Sequence, residues 1–159
     1  MFRTFGQSSV INASRDAVWE RIASFDGINA ELMPYMRMTV PREHAATTID
    51  TVPVGRPLGR AWIFYGGFLP LDYDALTLTE LVPGSHFQEI STMASMRRWE
   101  HRRELEAVGE QATRVTDTIG FEPRISALAP LVEPLLRRIF AHRHRRLAAY
   151  FAELTSPSP

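Results

Sequence analysis

The chain has 159 residues, 45% of them apolar, and its 18 Lys and Arg balance its 18 Asp and Glu. That size suits one domain with a real core, and the charge balance leaves no global field to draw in nucleic acid or an anionic membrane. No cysteine is present, which excludes disulfides, thiolate catalysis and Cys-ligated metal centres.

Phe2–Ile11 mixes polar and apolar residues as a strand does. Asn12-Ala13-Ser14 then opens a helix, with Ser14 as N-cap and Asp16 in the first turn. Val18, Trp19, Ile22 and Ala23 recur at helical spacing and predict an amphipathic helix over Arg15–Ser24, broken by Gly27. A second short helix is expected at Asn29–Met33. Strands follow at Tyr35–Val40, weakly within Arg42–Pro57, and at Arg60–Tyr65, Leu71–Val82, His86–Met93, Arg98–Ala107 and Thr113–Phe121. The last element is helical, with apolar residues from Ile125 to Leu154 at a spacing of three to four. Pro130 and Pro134 place the start of its unbroken part near Pro134. One domain over 1–154 and a disordered tail over 155–159 are expected. No stretch reads as a signal peptide or approaches the ~18 apolar residues of a membrane span, so the expected compartment is the cytoplasm. Strand, two helices, a meander of strands and one long helix make an α+β layout, in which that helix must cover the sheet.

The segment Arg98–Glu106 carries the chemistry. Its even positions, Arg98, Glu100, Arg102, Glu104 and Glu106, are all charged and belong to water. Its odd positions, Trp99, His101, Arg103 and Leu105, belong to the covered face. A polar group facing inward must be paired or must meet water or a ligand. A three-residue loop at Gly109–Gln111 sets Leu105 opposite Val115, Arg103 opposite Asp117 and His101 opposite Ile119. A three-residue loop at Ser95–Arg97 sets Phe87 opposite Leu105, Glu89 opposite Arg103, Ser91 opposite His101 and Met93 opposite Trp99. The expected result is a polar row Glu89–Arg103–Asp117 beside a mixed row Ser91–His101–Ile119. The row either braces the sheet or lines a partly wet cavity and orients the polar end of a ligand.

Trp62, Phe64, Met93, Trp99, Leu105, Ile119 and Phe121 are the apolar candidates for such a cavity, and Glu89, Ser91, His101, Arg103 and Asp117 the polar ones. His142 and His144 stand two apart on a helix and cannot chelate one ion. Arg103 between the acids also opposes a cation, so no metal or other cofactor is expected. The basic run from His142 to Arg146 reads as a solvated helix face.

Ile11-Asn12-Ala13-Ser14-Arg15-Asp16-Ala17-Val18-Trp19-Glu20, Leu81-Val82-Pro83-Gly84 and the terminal amphipathic helix resemble the START/Bet v 1-like superfamily, specifically its polyketide cyclase/dehydrase-type SRPBCC members. The resemblance implies a helix-grip fold: a curved seven-stranded antiparallel sheet around a long C-terminal helix, with two short helices after the first strand. It also implies an internal cavity for a lipid-, sterol- or polyketide-like molecule as partner. A binding protein is the first expectation. A cyclase or dehydratase, with His101 as acid or base and Arg103 stabilising an enolate oxygen, is the alternative. A module that docks other proteins through the terminal helix is a third. Oligomeric state is left open.

Overall fold

A computed structural model of the chain describes residues 1–40 and 48–156. Among them the elements run β1 (Arg3–Ile11), α1 (Arg15–Ile22), α2 (Phe25–Leu32), β2 (Met36–Met38), β3 (Pro57–Tyr65), β4 (Leu69–Val82), β5 (His86–Ser91), β6 (Met96–Gly109), β7 (Ala112–Pro123) and α3 (Ala129–Thr155). The strands form one antiparallel sheet in the order β1-β7-β6-β5-β4-β3-β2, curved around α3. This is the α+β helix-grip architecture. The weak strand expected within Arg42–Pro57 falls partly on 41–47, outside the described residues. From there a 3-10 turn at Ile49–Thr51 precedes β3.

Ser14 caps α1 by accepting from the Ala17 amide at 3.3 Å, with Asp16 in the first turn. The first helix ends earlier than its apolar spacing suggests. Ser24 caps α2 through the Gly27 amide at 3.0 Å, so Gly27 lies inside a helix and breaks nothing. Its missing side chain serves a close approach, because a Cβ there would collide with the backbone carbonyl of Arg21. The terminal helix also begins sooner than expected. Pro130 stands in the first turn of α3, where no amide donor is needed, and the helix continues through Pro134. Thr155 closes that helix by bonding the carbonyls of Phe151 and Ala152. Ser156 follows it, and the rest of the expected tail, 157–159, lies outside the described residues.

The β6–β7 register is the expected one, with Leu105 opposite Val115, Arg103 opposite Asp117 and His101 opposite Ile119. The β5–β6 register differs by two residues. Phe87 faces Arg103, Glu89 faces His101 and Ser91 faces Trp99. The connection is longer than the assumed loop, the Met93 amide donates to the Met96 carbonyl, and β6 bulges between Met96 and Arg98. A bulge adds an unpaired residue and shifts the pairing beyond it.

The inward face buries two apolar clusters. One joins Ile11, Val18, Trp19, Ile22, Leu78, Phe87, Leu105, Val115, Leu147 and Phe151; the other joins Phe5, Met93, Met96, Trp99, Ile119, Phe121 and Phe140. Trp62 belongs to neither. On β3 it shares a face with Phe64, while Ala61 beside it is buried opposite Asp74. Trp62 therefore lies on the outer face, 45% exposed and edge-on to Tyr73. Phe64 stands opposite the exposed Arg37 on that same outer face. Neither side chain faces the interior.

Candidate functional site

A layer of charged and polar side chains separates the two apolar clusters. On β6 it falls between Trp99 and Leu105, on β7 between Ile119 and Val115, and on α3 between Phe140 and Leu147. Its centre is Asp117, with no accessible surface. Oδ1 accepts from Arg103 Nε at 2.7 Å and His101 Nε2 at 2.8 Å; Oδ2 accepts from Arg103 Nη2 at 2.7 Å and His144 Nε2 at 2.9 Å. Four donors match what a carboxylate can take. Arg103 Nη1 donates to both oxygens of Glu31, at 2.8 and 3.0 Å, and Arg143 Nε donates to Glu31 Oε2 at 3.0 Å. Ser9 Oγ lies 2.5 Å from His144 Nδ1. Two arginines thus balance two carboxylates.

Electrostatics keep these groups in fixed states. Burial works to raise the Asp117 pKa, but Arg103 and His101 overcome it and hold the carboxyl well below the usual range. Burial likewise opposes ionisation of Glu31, and Arg103 and Arg143 reverse the shift. His101 moves the other way. Burial lowers its pKa, with Arg143 and Arg103 helping, and Asp117 only partly compensates. His101 is therefore a neutral donor with rings of Phe87 and Phe140 against it, each 5.3 Å away. Both groups assigned catalytic roles in the cyclase alternative are spent on Asp117.

Glu89 is not part of that layer, contrary to the expected row. It stands opposite His101 and accepts from Trp99 Nε1 at 2.8 Å. The second carboxylate on Arg103 is Glu31, from α2, which strand pairing could not reveal. Arg143 and His144, read from sequence as solvated, are 8% and 3% exposed. Their stripe was visible in the spacing Phe140, Arg143/His144, Leu147, Phe151, but the basic run as a block obscured it.

A second polar group lies beyond Glu89. Asp74 on β4 is 3% exposed and forms a bridge opposite Met93; Ser91 on β5 is 5% exposed and faces Trp99. Asp74 Oδ1 and Ser91 Oγ are buried and have no hydrogen-bond partner among the described residues. Burial raises Asp74 to about 6; nearby Ser91 tempers the rise and Asp72 adds to it. Burial, with Asp74 beside it, raises Glu89 to about 8, against the pull of the Trp99 donor. Burial thus pushes both carboxyls toward their protonated forms, Glu89 further than Asp74, and ionisation of one opposes ionisation of the other. Asp74 was missed from sequence, although Asp74, Leu76 and Leu78 alternate inward and an acid in that series is a signal of its own.

Around this pair the wall is apolar. Met93, Met96, Trp99 and Phe140 are buried, and half-buried Ile63 of β3 and Val132, Leu136 and Ile139 of α3 pack against their cluster. Of the other expected lining residues, Ile119 and Phe121 lie in this same cluster with no accessible surface, and Leu105 lies in the other. A separate surface cleft of about 70 Å³ opens on the far side of α3, between Arg21, Gly27, Glu31, Arg146, Leu147 and Tyr150. None of the expected site residues lines it.

Residues 9–151 match the family described as Domain of unknown function (DUF8410). The chain belongs to that family. No curated protein matches the sequence. Solved structures similar to this DUF8410 chain include the Zhui aromatase/cyclase from Streptomyces sp. R1128, with TM-score 0.73 and 11% identity over 98% of this chain and 97% of that one. A START superfamily protein from Mycobacterium smegmatis gives TM-score 0.68 and 12% identity over 96% and 99%. A protein from Chromobacterium violaceum gives 0.69 and 16% over 92% and 95%. At these identities the likeness is one of fold. The DUF8410 chain has the START/Bet v 1-like fold of the SRPBCC and polyketide cyclase-like proteins. No helix among its described residues is long and apolar enough to cross a membrane.

Proposed function

We propose that this protein binds an amphipathic small molecule beneath the N-terminal half of α3, in the cytoplasm, with the apolar body against Met93, Met96, Trp99 and Phe140 and the polar end at Ser91 and Asp74. The observation that carries this reading is the pair of buried polar atoms without partners, Asp74 Oδ1 and Ser91 Oγ, set in an apolar surround. An unmade buried hydrogen bond costs about 1–3 kcal/mol, and a ligand that supplies the missing partner recovers it. Binding sites commonly combine mostly apolar walls with a few placed polar groups.

Entry would part the seam of Ile63, Leu136 and Ile139. That half of α3 contains Pro134, which removes one helical hydrogen bond and eases such a movement. Met93 and Met96 suit a wall that must reshape around its occupant. Arg103, His101 and Asp117 act in this reading as the rigid floor behind the ligand, not as its anchors.

Nile red, a neutral apolar dye, tests the reading in a chain carrying Trp19→Phe and Trp62→Phe, so that Trp99 alone emits. Saturable binding of one dye per chain, with quenching of Trp99, is expected. Non-saturable partitioning, or saturation that leaves Trp99 emission unchanged, would overturn it.

A further inference from the structure

Among the described residues four carboxyl groups are buried on the inward side, and three are matched. Asp117 has Arg103, His101 and His144; Glu31 has Arg103 and Arg143; Glu89 has the Trp99 indole. Asp74 has no cation among the described residues; its Oδ1 makes no hydrogen bond there, and the one donor near the carboxyl is the Ser91 hydroxyl, itself without a closed hydrogen bond. The acidic neighbours of Asp74 are Asp72, bonded to the Ser95 amide and hydroxyl, and Glu89, which burial holds toward its uncharged form.

We infer that the molecule bound beneath α3 carries a protonated amine on an apolar body, the ammonium donating to Asp74 and to the Ser91 hydroxyl oxygen. This rests on the binding reading above and specifies its ligand class. A buried charge is tolerated where it is paired, and a ligand cation supplies for Asp74 what the arginines supply for Asp117 and Glu31. The same acidic surround repels a carboxylate, so a simple fatty acid is the wrong partner. A neutral alcohol offers one donor and no charge. An ammonium offers three donors, and charge-assisted hydrogen bonds are roughly twice as strong as neutral ones. Burial raises Asp74 to about 6, and an arriving ammonium favours its ionised form.

Three ten-carbon molecules that differ only in the head group separate the possibilities: decylamine, decanol and decanoate. Each is titrated against the full chain at pH 7.5, by displacement of Nile red and by thermal shift without the dye. Decylamine should act at about tenfold lower concentration than decanol, the ratio for ~1.4 kcal/mol, and decanoate should be the weakest. In Asp74→Asn the charge is gone while a side-chain oxygen remains to accept from a hydroxyl, so the tenfold preference for decylamine over decanol should disappear. Equal or stronger action of decanol or decanoate, or an amine preference that survives Asp74→Asn, overturns the inference and leaves the binding reading standing. Failure of all three molecules in both measurements removes the binding reading and the inference together.

Discussion

A single guanidinium joins three elements of this fold. Arg103, 1% exposed, bridges Asp117 on β7 and Glu31 on α2 from its place on β6. Arg103→Ala strands two buried carboxylates, one of them still facing Arg143. The expected loss is about 3–5 kcal/mol, the size seen when one partner of a buried ion pair is removed. Urea unfolding checks this, and a loss under ~0.5 kcal/mol, as at a plain surface site, would contradict it. Half of this constellation was legible in the sequence. Arg103 and Asp117 sit on inward positions of strands joined by a short turn, so period-two alternation and loop length bring them together. Glu31 lies 72 residues away on a helix, and no local periodicity reports such a contact.

Between α1 and α2 two physical expectations oppose each other. Gly27 lies inside α2, where helix propensity alone makes Gly→Ala stabilising by about 1 kcal/mol. A Cβ at this position, however, meets the carbonyl of Arg21, which is backbone and cannot swing aside. Gly27→Ala should therefore destabilise, by about 1–3 kcal/mol as overpacking does. A rise in melting temperature would show that the junction can open. The same contrast explains where element boundaries were misjudged. Propensity marks glycine as a helix breaker, although here it permits two helices to approach. Two prolines four residues apart predict a helix that starts at the second, although Pro130 occupies the first turn of α3, where the missing amide is harmless. The β5–β6 register slipped for a comparable reason, since a bulge near Met96 leaves no compositional mark. That slip moved Glu89 from Arg103 to His101, and with it the proposed polar contact of the site.

At the scale of the whole molecule the layered interior makes stability fall as pH rises, through two coupled carboxyls, Asp74 and, over the wider window, Glu89. Glu89 has a folded-state pKa of about 8 against an ordinary 4.5. The unfolded chain loses this proton from about pH 4.5 upward, while the folded chain keeps it until about pH 8. Unfolding is therefore favoured increasingly over that window, and the penalty is constant above it. Each pH unit between the two values is worth ~1.4 kcal/mol, so the loss reaches several kcal/mol by pH 8. Glu89→Gln removes the titration and retains a carbonyl oxygen for the Trp99 donor. Relative to the natural chain, the variant's stability should change little at pH 4.5 and improve progressively to pH 8. His101, whose pKa is lowered by burial despite Asp117, acts on the acid side. It destabilises the fold as pH falls below about 6.5, and does so equally in both chains. Subtracting the two urea-unfolding profiles from pH 4.5 to 9 gives the contribution of Glu89 together with its coupling to Asp74. A difference that stays flat across this range would show that Glu89 is ionised in the fold, with its charge compensated from a direction other than Trp99.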